Sequence, residues 1–484
     1  MKESGTRKQE TKSPPPRRDA GREARPDGKA LAKFLEGKRW FGEKGRTLLD
    51  ATLRDVIPVT WPNARKDFAV GRAQVATDDG TFVYQLFLPG DGSIAEALED
   101  AEFRRGLADA FRNGAAFERN RARWIVASEG KAPLVVPASA PVTLSSSEQT
   151  NSSVIFGEAI LKLYRKLESG VHPDVEVTRF LTRKEFVHVP VLLGTIRFED
   201  DDGVTTAGML QELVPGAVDG WRYALDCSAG YFGARATQER AIPFESQAME
   251  LGGVTNELHQ ALASGEPGTD FDLRAATADD MQQWVEHATR TIDAACASLE
   301  RAIADKRLPD DRVADARAVM ERRPRYLAWT KQLAEDIGGD GGANTRTHGD
   351  YHLGQVLRST ADRFLIIDFE GEPARPLRER RGRHSPLRDV AGMLRSFAYA
   401  AAVGAGARLA RASRWERAVR DAFLRGYFSK RKSTPALLPR SESNAGRLLS
   451  LFEAEKAFYE LQYEIDHRPD WVWIPLRGIA TLYA

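Results

Sequence analysis

The sequence predicts an α+β fold in which β-rich segments come first and a large helical region follows. Apolar runs with strand character lie before residue 215, and from Trp221 onward apolar residues recur at spacings of three and four. The 484 residues are 42% hydrophobic and 29% charged. Such a composition is typical of a globular chain with two or three domains.

Several protein classes are excluded by simple features of the chain. An apolar run of about 18 residues, which a membrane span needs, is absent; residues 390–410 come nearest and are broken by Arg395 and Arg408. The N-terminus lacks the apolar stretch of a secretory signal. Cys227 and Cys296 are too few for a disulfide framework. A net charge of +1 argues against nucleic-acid or membrane partners. We therefore expect a cytoplasmic protein.

Residues 1–28 are predicted to be a disordered basic tail. They hold eight Lys or Arg and five Asp or Glu, with Pro14, Pro15 and Pro16 and almost no large apolar side chain. Such a segment cannot offset the entropy cost of ordering.

Residues 29–134 are predicted to be an N-terminal cap subdomain. Leu31, Phe34 and Leu35 have helical spacing, and residues 94–124 mix charged and apolar side chains at helical spacing. Strand-like runs lie between them, at 51–59, 68–75 and 81–88, with a turn at Asp78-Asp79-Gly80. A Pro-rich stretch at 133–141 marks the boundary.

Residues 135–215 are predicted to be a small β-rich lobe. A polar loop at 145–153 precedes a hairpin of residues 154–156 and 159–164, whose second strand carries Lys162 among apolar residues. Residues 189–198 and 205–213 form a further strand pair.

Residues 216–484 are predicted to be a mostly helical lobe. Its clearest core-facing stripe contains Trp284, Ala288, Ile292, Ala295, Leu299 and Ile303.

The residues that carry chemistry lie at 347–357 and 364–373. Two short apolar strands flank a polar turn at 359–362, so Asp350 precedes a hairpin and Asp368 ends it. The hairpin folds both ends to one side, where the two carboxylates and Gln355 can converge. Phosphoryl transfer needs such a set, with a carboxylate for the hydroxyl proton and oxygen ligands for Mg²⁺.

These motifs resemble the aminoglycoside phosphotransferase-like kinases, and among them the maltokinases. The resemblance rests on residues 348–355, 368–373 and 385–397, on 39–46 in the cap, and on 459–464 with 468–475 near the C-terminus. It implies a bilobal protein-kinase-like fold with an N-terminal cap subdomain, a β-rich nucleotide-binding N-lobe and a mostly helical C-lobe that holds the catalytic loop and sugar site.

The resemblance also implies roles in the transfer. Asp350 would be the catalytic base, Gln355 and Asp368 the Mg²⁺ ligands, and Lys162 the lysine on the ATP phosphates. Glu176 is the expected ion-pair partner of Lys162. Further nucleotide contacts are expected from Ser152 in the polar loop, which replaces a Gly-rich loop, and from the hinge residues Gln211, Glu212 and Val214.

The acceptor site is expected on one helix face. Lys456, Tyr459, Glu460 and Tyr463 share that face by their spacing, and Arg468 extends it. Aromatic rings and charged groups of this kind suit a disaccharide. His348, Glu370 and Arg388 are assigned to the substrate side as well, with His348 orienting its loop. Each of these features also has a purely structural alternative. For the helix face it is an edge of the core covered by charged groups, and for Lys162 it is a strand lysine whose ammonium reaches solvent.

The function that the resemblance implies is ATP-dependent phosphorylation of maltose at its anomeric hydroxyl, which feeds α-glucan synthesis from trehalose. ATP and Mg²⁺ are the expected cofactors, trehalose synthase is a possible partner, and a monomer is expected. Two alternatives stay open. One is another small-molecule kinase, such as a glucosamine kinase; the other is a catalytically inactive scaffold for trehalose synthase.

Overall fold

A computed structural model describes residues 28–482, with gaps at 63, 131–140, 146–149, 234–240, 374, 407 and 431–436. The predicted tail, except Gly28, lies outside the described residues. Most of the Pro-rich boundary and the middle of the polar loop at 145–153 lie outside them as well.

The described elements alternate between strands and helices in the first half of the chain and are mostly helical in the second. The strands are β1 (Leu48–Val59), β2 (Phe68–Thr77), β3 (Gly80–Pro89), β4 (Ala115–Arg119), β5 (Ala122–Ser128), β6 (Val142–Leu144), β7 (Ser152–Phe156), β8 (Ala159–Leu163), β9 (Lys166–Leu167), β10 (Leu192–Asp200), β11 (Gly203–Glu212), β12 (Val218–Asp219), β13 (Arg274–Ala275), β14 (Ala343–Asn344), β15 (Val356–Arg358) and β16 (Phe364–Ile366). The helices are α1 (Gly28–Glu36), α2 (Ala101–Asn113), α3 (Pro173–Arg183), α4 (Gly220–Gly233), α5 (Glu245–Leu262), α6 (Ala278–Ala304), α7 (Val313–Glu321), α8 (Arg323–Ile337), α9 (Leu377–Arg380), α10 (Leu387–Ala405), α11 (Leu409–Phe428), α12 (Glu442–His467) and α13 (Trp473–Leu482).

Two antiparallel sheets build the N-terminal part of the molecule. One has the strand order β1-β2-β3-β9, and the other has the order β4-β5-β10-β11-β8-β7-β6. After β8 the chain leaves the larger sheet and joins the smaller one as β9, which pairs with β3. Buried Gln85 sits at this crossing. Its amide donates to the carbonyls of Tyr164 and Ala207, at 3.1 and 2.9 Å, and accepts from the indole of Trp124.

The predicted strands between 51 and 88 are present, but the helical expectation for 94–124 holds only in part. Helix α2 ends at Asn113, because Gly114 adopts a positive φ of 70°. The following residues form the β4–β5 hairpin, with Asn120 in the left-handed region at its turn. Strand β5 then pairs with β10, so one sheet continues across the boundary predicted near residue 134.

The helical region contains the largest core cluster, formed by α4, α5, α10, α11 and α12 with the β15–β16 hairpin. The predicted stripe lies on α6, where its members are buried except Ile303, which is half-buried. Strand β12 extends the β15–β16 hairpin into a three-stranded sheet. Within the described ranges, every helix is too short or too polar to pass through a lipid bilayer.

Candidate active site

The loop that carries Asp350 is held from behind by one buried carboxylate. Asp389, in the first turn of α10, accepts hydrogen bonds from the backbone amides of His348 at 2.7 Å and Gly349 at 3.0 Å. The ring of His348 is fully used, because Nε2 bonds the carbonyl of Ile367 at 2.9 Å and Nδ1 accepts from the amide of Asp350. His348 therefore orients the loop, and its predicted contact with substrate is not supported by this geometry.

Gly349 and Gly371 allow two functional segments to approach each other. Their φ angles are 85° and 72°, and a Cβ on Gly349 would lie 3.2 Å from the Cα of Gly371. Side chains are disfavoured at both positions by conformation and at Gly349 also by space. The glycines of the His-Gly-Asp and Glu-Gly-Glu motifs thus bring the loop that carries Asp350 against the segment after Asp368.

Asp350 faces the acceptor side of this junction. Its Oδ1 lies 3.4 Å from the Nζ of Lys456 on α12, and the same ammonium lies 2.7 Å from Glu372. Burial would lower the pKa of Lys456, but Glu372 and Asp350 outweigh it and raise that pKa above its usual value. Lys456 therefore stays charged between two carboxylates.

The β15–β16 hairpin brings Gln355 and Asp368 together, as predicted. The amide nitrogen of Gln355 donates to Oδ2 of Asp368 at 3.0 Å. Asp368 itself adopts a left-handed φ of 68°, an uncommon conformation for a residue with a side chain. Strained backbone of this kind is concentrated at functional sites, where the surrounding structure holds it in place.

Lys162 reaches the same carboxylate from the β-rich region. Its ammonium contacts Oδ1 of Asp368 and lies 3.2 Å from Asp174 at the start of α3. The predicted partner, Glu176, is wrong: its carboxylate binds Arg346 and Arg381 instead. Two residues along a helix turn a side chain by about 200°, so Asp174 and Glu176 point to different sides of α3.

A surplus of buried negative charge surrounds Asp368. Burial is the main cause that raises the pKa of Glu370 to about 8, and neighbouring Asp368, Asp174 and Asp350 add to it against the charge of Lys162. Among the residues that the structure describes, no cluster of three or more His, Cys, Asp or Glu could hold a metal ion alone. Asp368 and the Gln355 carbonyl would supply two oxygen ligands and leave other positions to phosphate oxygens and water. This donor set fits Mg²⁺.

On the nucleotide side, Ser153 rather than Ser152 shares a face with Lys162. Ser153 pairs directly with Lys162 across β7 and β8, whereas Ser152 pairs with Leu163. The Ser152 hydroxyl accepts from the Nε of buried Arg165 at 2.8 Å, away from the lysine. The prediction that Ser152 contacts phosphate is therefore wrong, since neighbouring residues of a strand face opposite sides of the sheet.

The predicted hinge residues lie where β11 ends. Gln211 pairs with Leu192 and Ile160 in the ladder. The amide of Glu212 donates to Val191, and the carbonyl of Val214 accepts from Ala217. These residues stay predicted contacts for adenine.

The acceptor side opens into a cleft next to Asp350. Arg388, Lys456 and Tyr459 line it, as predicted. Charged side chains that the sequence analysis did not single out also line it: Glu372, Arg375, Glu379, Arg380 and Glu455. Arg388 and Glu455 form an ion pair there, and His287 lies 2.9 Å from the same carboxylate.

The other predicted acceptor residues lie away from this cleft. Glu460 forms a buried ion pair with Arg395 at 2.7 Å. Tyr463 is 43% exposed and stacks on His467, and Arg468 binds Glu464 at 2.7 Å. The prediction of one continuous acceptor face on α12 is therefore wrong beyond Tyr459, because Arg395 of α10 pairs with Glu460.

Sequence reasoning also missed Asp174 and Asp389, the two acids that position Lys162 and the catalytic loop. Asp389 lies within segment 385–397, which carries part of the family resemblance, but its role in holding the loop before Asp350 could not be read from the sequence. Asp174 follows Pro173 in the first turn of α3, where acidic residues are common. Its position therefore gave no indication that it also contacts Lys162.

Comparison with known proteins places these features in a family. No family model matches the chain. The glucosamine kinase of Streptacidiphilus jiangxiensis is 28% identical over 413 residues, which cover 84% of each chain. The glucosamine kinase of Mycolicibacterium smegmatis is 31% identical over 352 residues, which cover 71% of this chain and 79% of that protein.

Solved structures agree on the fold. One crystal form of a glucosamine kinase superposes with a TM-score of 0.69 at 23% identity, covering 91% of this chain and 95% of that one. A glucosamine kinase in complex with glucosamine, ADP and inorganic phosphate gives a TM-score of 0.66 at 20% identity, covering 93% and 99%. The predicted bilobal α+β kinase-like fold is confirmed. The predicted resemblance is supported at the level of the kinase-like superfamily, and the narrower assignment to the maltokinases is not supported. With 31% identity over most of both sequences, the chain belongs to the glucosamine kinase family.

Proposed function

We propose that this protein is an ATP-dependent kinase that phosphorylates a hydroxyl group of glucosamine. The observation that carries the proposal is the position of Asp350 at a cleft that contains Glu372 and Glu455 and ends at Tyr459. Because the lining face of α12 ends at Tyr459, such a cleft suits one sugar ring better than a disaccharide, and its charged side chains can hydrogen-bond hydroxyl and amino groups. The names of the relatives, and the ADP in the solved complex, support glucosamine as the acceptor and ATP as the donor.

Each charged residue has a defined part in the proposed transfer. Asp350 orients the acceptor hydroxyl and takes its proton, the role of a carboxylate base in phosphoryl transfer. Lys162, which contacts Asp174 at 3.2 Å, would neutralise charge on the ATP phosphates. Lys456 lies 3.4 Å from Asp350 and holds its carboxylate at the acceptor end of the cleft.

Asp368 and Gln355 would hold Mg²⁺, which when bound neutralises charge on the phosphates. The Gln355 side chain presents its carbonyl once its amide group turns over, and Asp368 already faces Lys162 and Gln355. Before that turn, the hydrogen bond from the Gln355 NH₂ group to Asp368 holds the two side chains next to each other, and the turn breaks it.

The test is ADP release with glucosamine, maltose, glucose and an aminoglycoside as acceptors, each with ATP and Mg²⁺. We expect turnover with glucosamine and its loss in Asp350→Asn. Asp362→Asn is the matched control, because Asp362 is an exposed acid in the turn of the same hairpin and already has a positive φ, which Asn tolerates.

Turnover of maltose without glucosamine would reject the proposed acceptor in favour of the maltose expected from the sequence. Absence of nucleotide binding with Mg²⁺ present would reject the kinase function and favour the inactive scaffold. The monomeric state, the cytoplasmic location and the trehalose synthase partner stay predictions, which size-exclusion chromatography and cell fractionation can test.

A further inference from the structure

Glu176 makes contacts that its predicted role does not explain. It lies on α3, beside the β-rich lobe, but its carboxylate binds two arginines of the helical lobe. Arg381 donates to both of its oxygens, from Nε at 3.0 Å and Nη2 at 2.6 Å. Arg346, which is 1% exposed and four residues before Asp350, donates to Oε2 at 2.8 Å. Its other terminal nitrogen donates to the carbonyl of Arg381.

A second ion pair joins the same two parts of the molecule. Arg380, next to Arg381, contacts Glu168, which follows β9. The Arg380 side chain is only 4% exposed, so it is largely removed from solvent screening. Two consecutive arginines thus hold two acids that belong to the β-rich lobe and its helix.

The segment that carries these arginines also lines the acceptor cleft. Residues 370–384, the bridging segment, include Glu372 and Arg375 in the cleft wall. Arg380 donates to the carbonyls of Glu370 and Arg375, both at 3.0 Å. The side chain of Arg380 therefore holds the earlier part of its own segment. Arg375 in turn holds Glu372 at 2.6 Å.

We propose that the ion pairs Glu168–Arg380 and Glu176–Arg381 latch the nucleotide lobe onto the bridging segment and couple the binding of nucleotide and sugar. Arg381 is a positioning residue, because it acts through Glu176 and Arg346. Arg380 lines the cleft and also holds the carbonyls of Glu370 and Arg375. This inference rests on the proposed function in that the second ligand is the acceptor sugar.

The coupling follows from the connections. A shift of the β-rich lobe relative to the helical lobe moves Glu168 and Glu176, and with them Arg380 and the carbonyls it binds. Any acceptor that contacts Glu372 or Arg375 therefore favours one position of the lobes. Because coupling between two ligands is reciprocal, that acceptor tightens nucleotide binding by the factor by which nucleotide tightens acceptor binding.

The test uses the full chain with Glu168→Gln, Glu176→Gln and the double variant. Glu199→Gln is the matched control, because Glu199 binds Arg123 and Arg197 within a single sheet of the β-rich lobe. Titration calorimetry measures the Kd of a non-hydrolysable ATP analogue with Mg²⁺, in the absence and presence of saturating glucosamine. Hydrogen–deuterium exchange of residues 370–384 is measured without any ligand.

We expect glucosamine to lower the nucleotide Kd of the wild type by roughly five-fold or more, a usual size for coupling between two sites. In the double variant that factor should approach one, and the bridging segment should exchange faster while α6 does not change. The Glu199→Gln protein should match the wild type in both measurements.

An unchanged coupling factor in the double variant, or unchanged exchange of the bridging segment, would overturn the latch. If the wild type binds no glucosamine, the proposed acceptor fails, and the acceptor that the turnover panel identifies replaces it in the titration. The exchange experiment needs no acceptor, so it separates failure of the latch from failure of the proposed function.

Discussion

Replacing Asp389 by Asn removes the charge of a side chain that is 2% exposed and that holds the loop before Asp350 in place. Its two oxygens accept from the amides of His348 and Gly349 and face Nε2 of His259 at 3.1 Å. Asn offers one acceptor oxygen and turns its NH₂ group toward one of these nitrogens. At least one backbone amide, only one or two residues before Asp350, then has no acceptor.

The size of the effect follows from these contacts. A hydrogen bond to a charged group contributes about 1.5–3 kcal/mol, and a buried donor left without a partner costs about 1–3 kcal/mol. We therefore expect Asp389→Asn to lower the free energy of unfolding by about 3 kcal/mol. The loop displacement should lower kcat by roughly 100-fold, since small misplacements of reacting groups have effects of that order.

Urea unfolding followed by fluorescence measures the stability, and ADP release with the identified acceptor measures kcat. Asp293→Asn is the control, because Asp293 forms an exposed ion pair with Arg323, and exposed pairs contribute little. A loss of stability below about 0.5 kcal/mol in Asp389→Asn, the range of ordinary surface substitutions, would refute the assigned role.

Three further outcomes are expected. Asp174→Asn removes a charge from the site of Lys162 and should weaken binding of an ATP analogue by about ten-fold, which corresponds to about 1.4 kcal/mol; an unchanged Kd in calorimetry would contradict this. Gly349→Ala should lower the free energy of unfolding by more than about 1 kcal/mol because of its positive φ, whereas Gly446→Ala, where a Cβ meets nothing within 4 Å, should not lower it. The pKa of Glu372 is lowered to about 2, so its stabilising contribution is present above its unfolded pKa of about 4.3 and is lost as the pH falls toward 2. The stability difference between wild type and Glu372→Gln should therefore be constant above about pH 5 and shrink below about pH 4, and a difference that grows in acid would oppose this assignment.

The cause of the low Glu372 pKa is a balance of burial and charge. Burial alone would raise the pKa of this carboxyl, but the charges of Lys456 and Arg375 outweigh it. Both cations contact Glu372 directly, at 2.7 and 2.6 Å.

The hairpins and the main helices could be predicted because hydrophobic periodicity and turn residues act locally. The β7–β8 hairpin with Lys162, the β15–β16 hairpin between Gln355 and Asp368, and the stripe on α6 are all of this kind. The convergence of Gln355 and Asp368 followed from the hairpin alone, since its turn brings both ends to one side.

The partners of charged residues could not be predicted in the same way. Asp174 and Glu176 are two positions apart, and the choice between them depends on how α3 is rotated against the sheet. Glu460 has the right spacing to join Lys456 and Tyr459, but Arg395 of α10 intercepts it. Such pairings are set by neighbouring elements far away in the chain, which spacing within one segment does not reveal.

The crossing of the chain from one sheet to the other limits how this protein can be shortened. Gln85 on β3 binds two carbonyls, those of Tyr164 and Ala207, and accepts from the Trp124 indole. A chain that starts after Pro89 would remove Gln85 from the Tyr164 carbonyl and the Trp124 indole, and would leave β9 without the strand it pairs with. The Ala207 carbonyl would keep the backbone amide of Tyr164. The N-terminal sheet is therefore not a detachable module, and any viable deletion variant must supply a new polar partner at the position of Gln85.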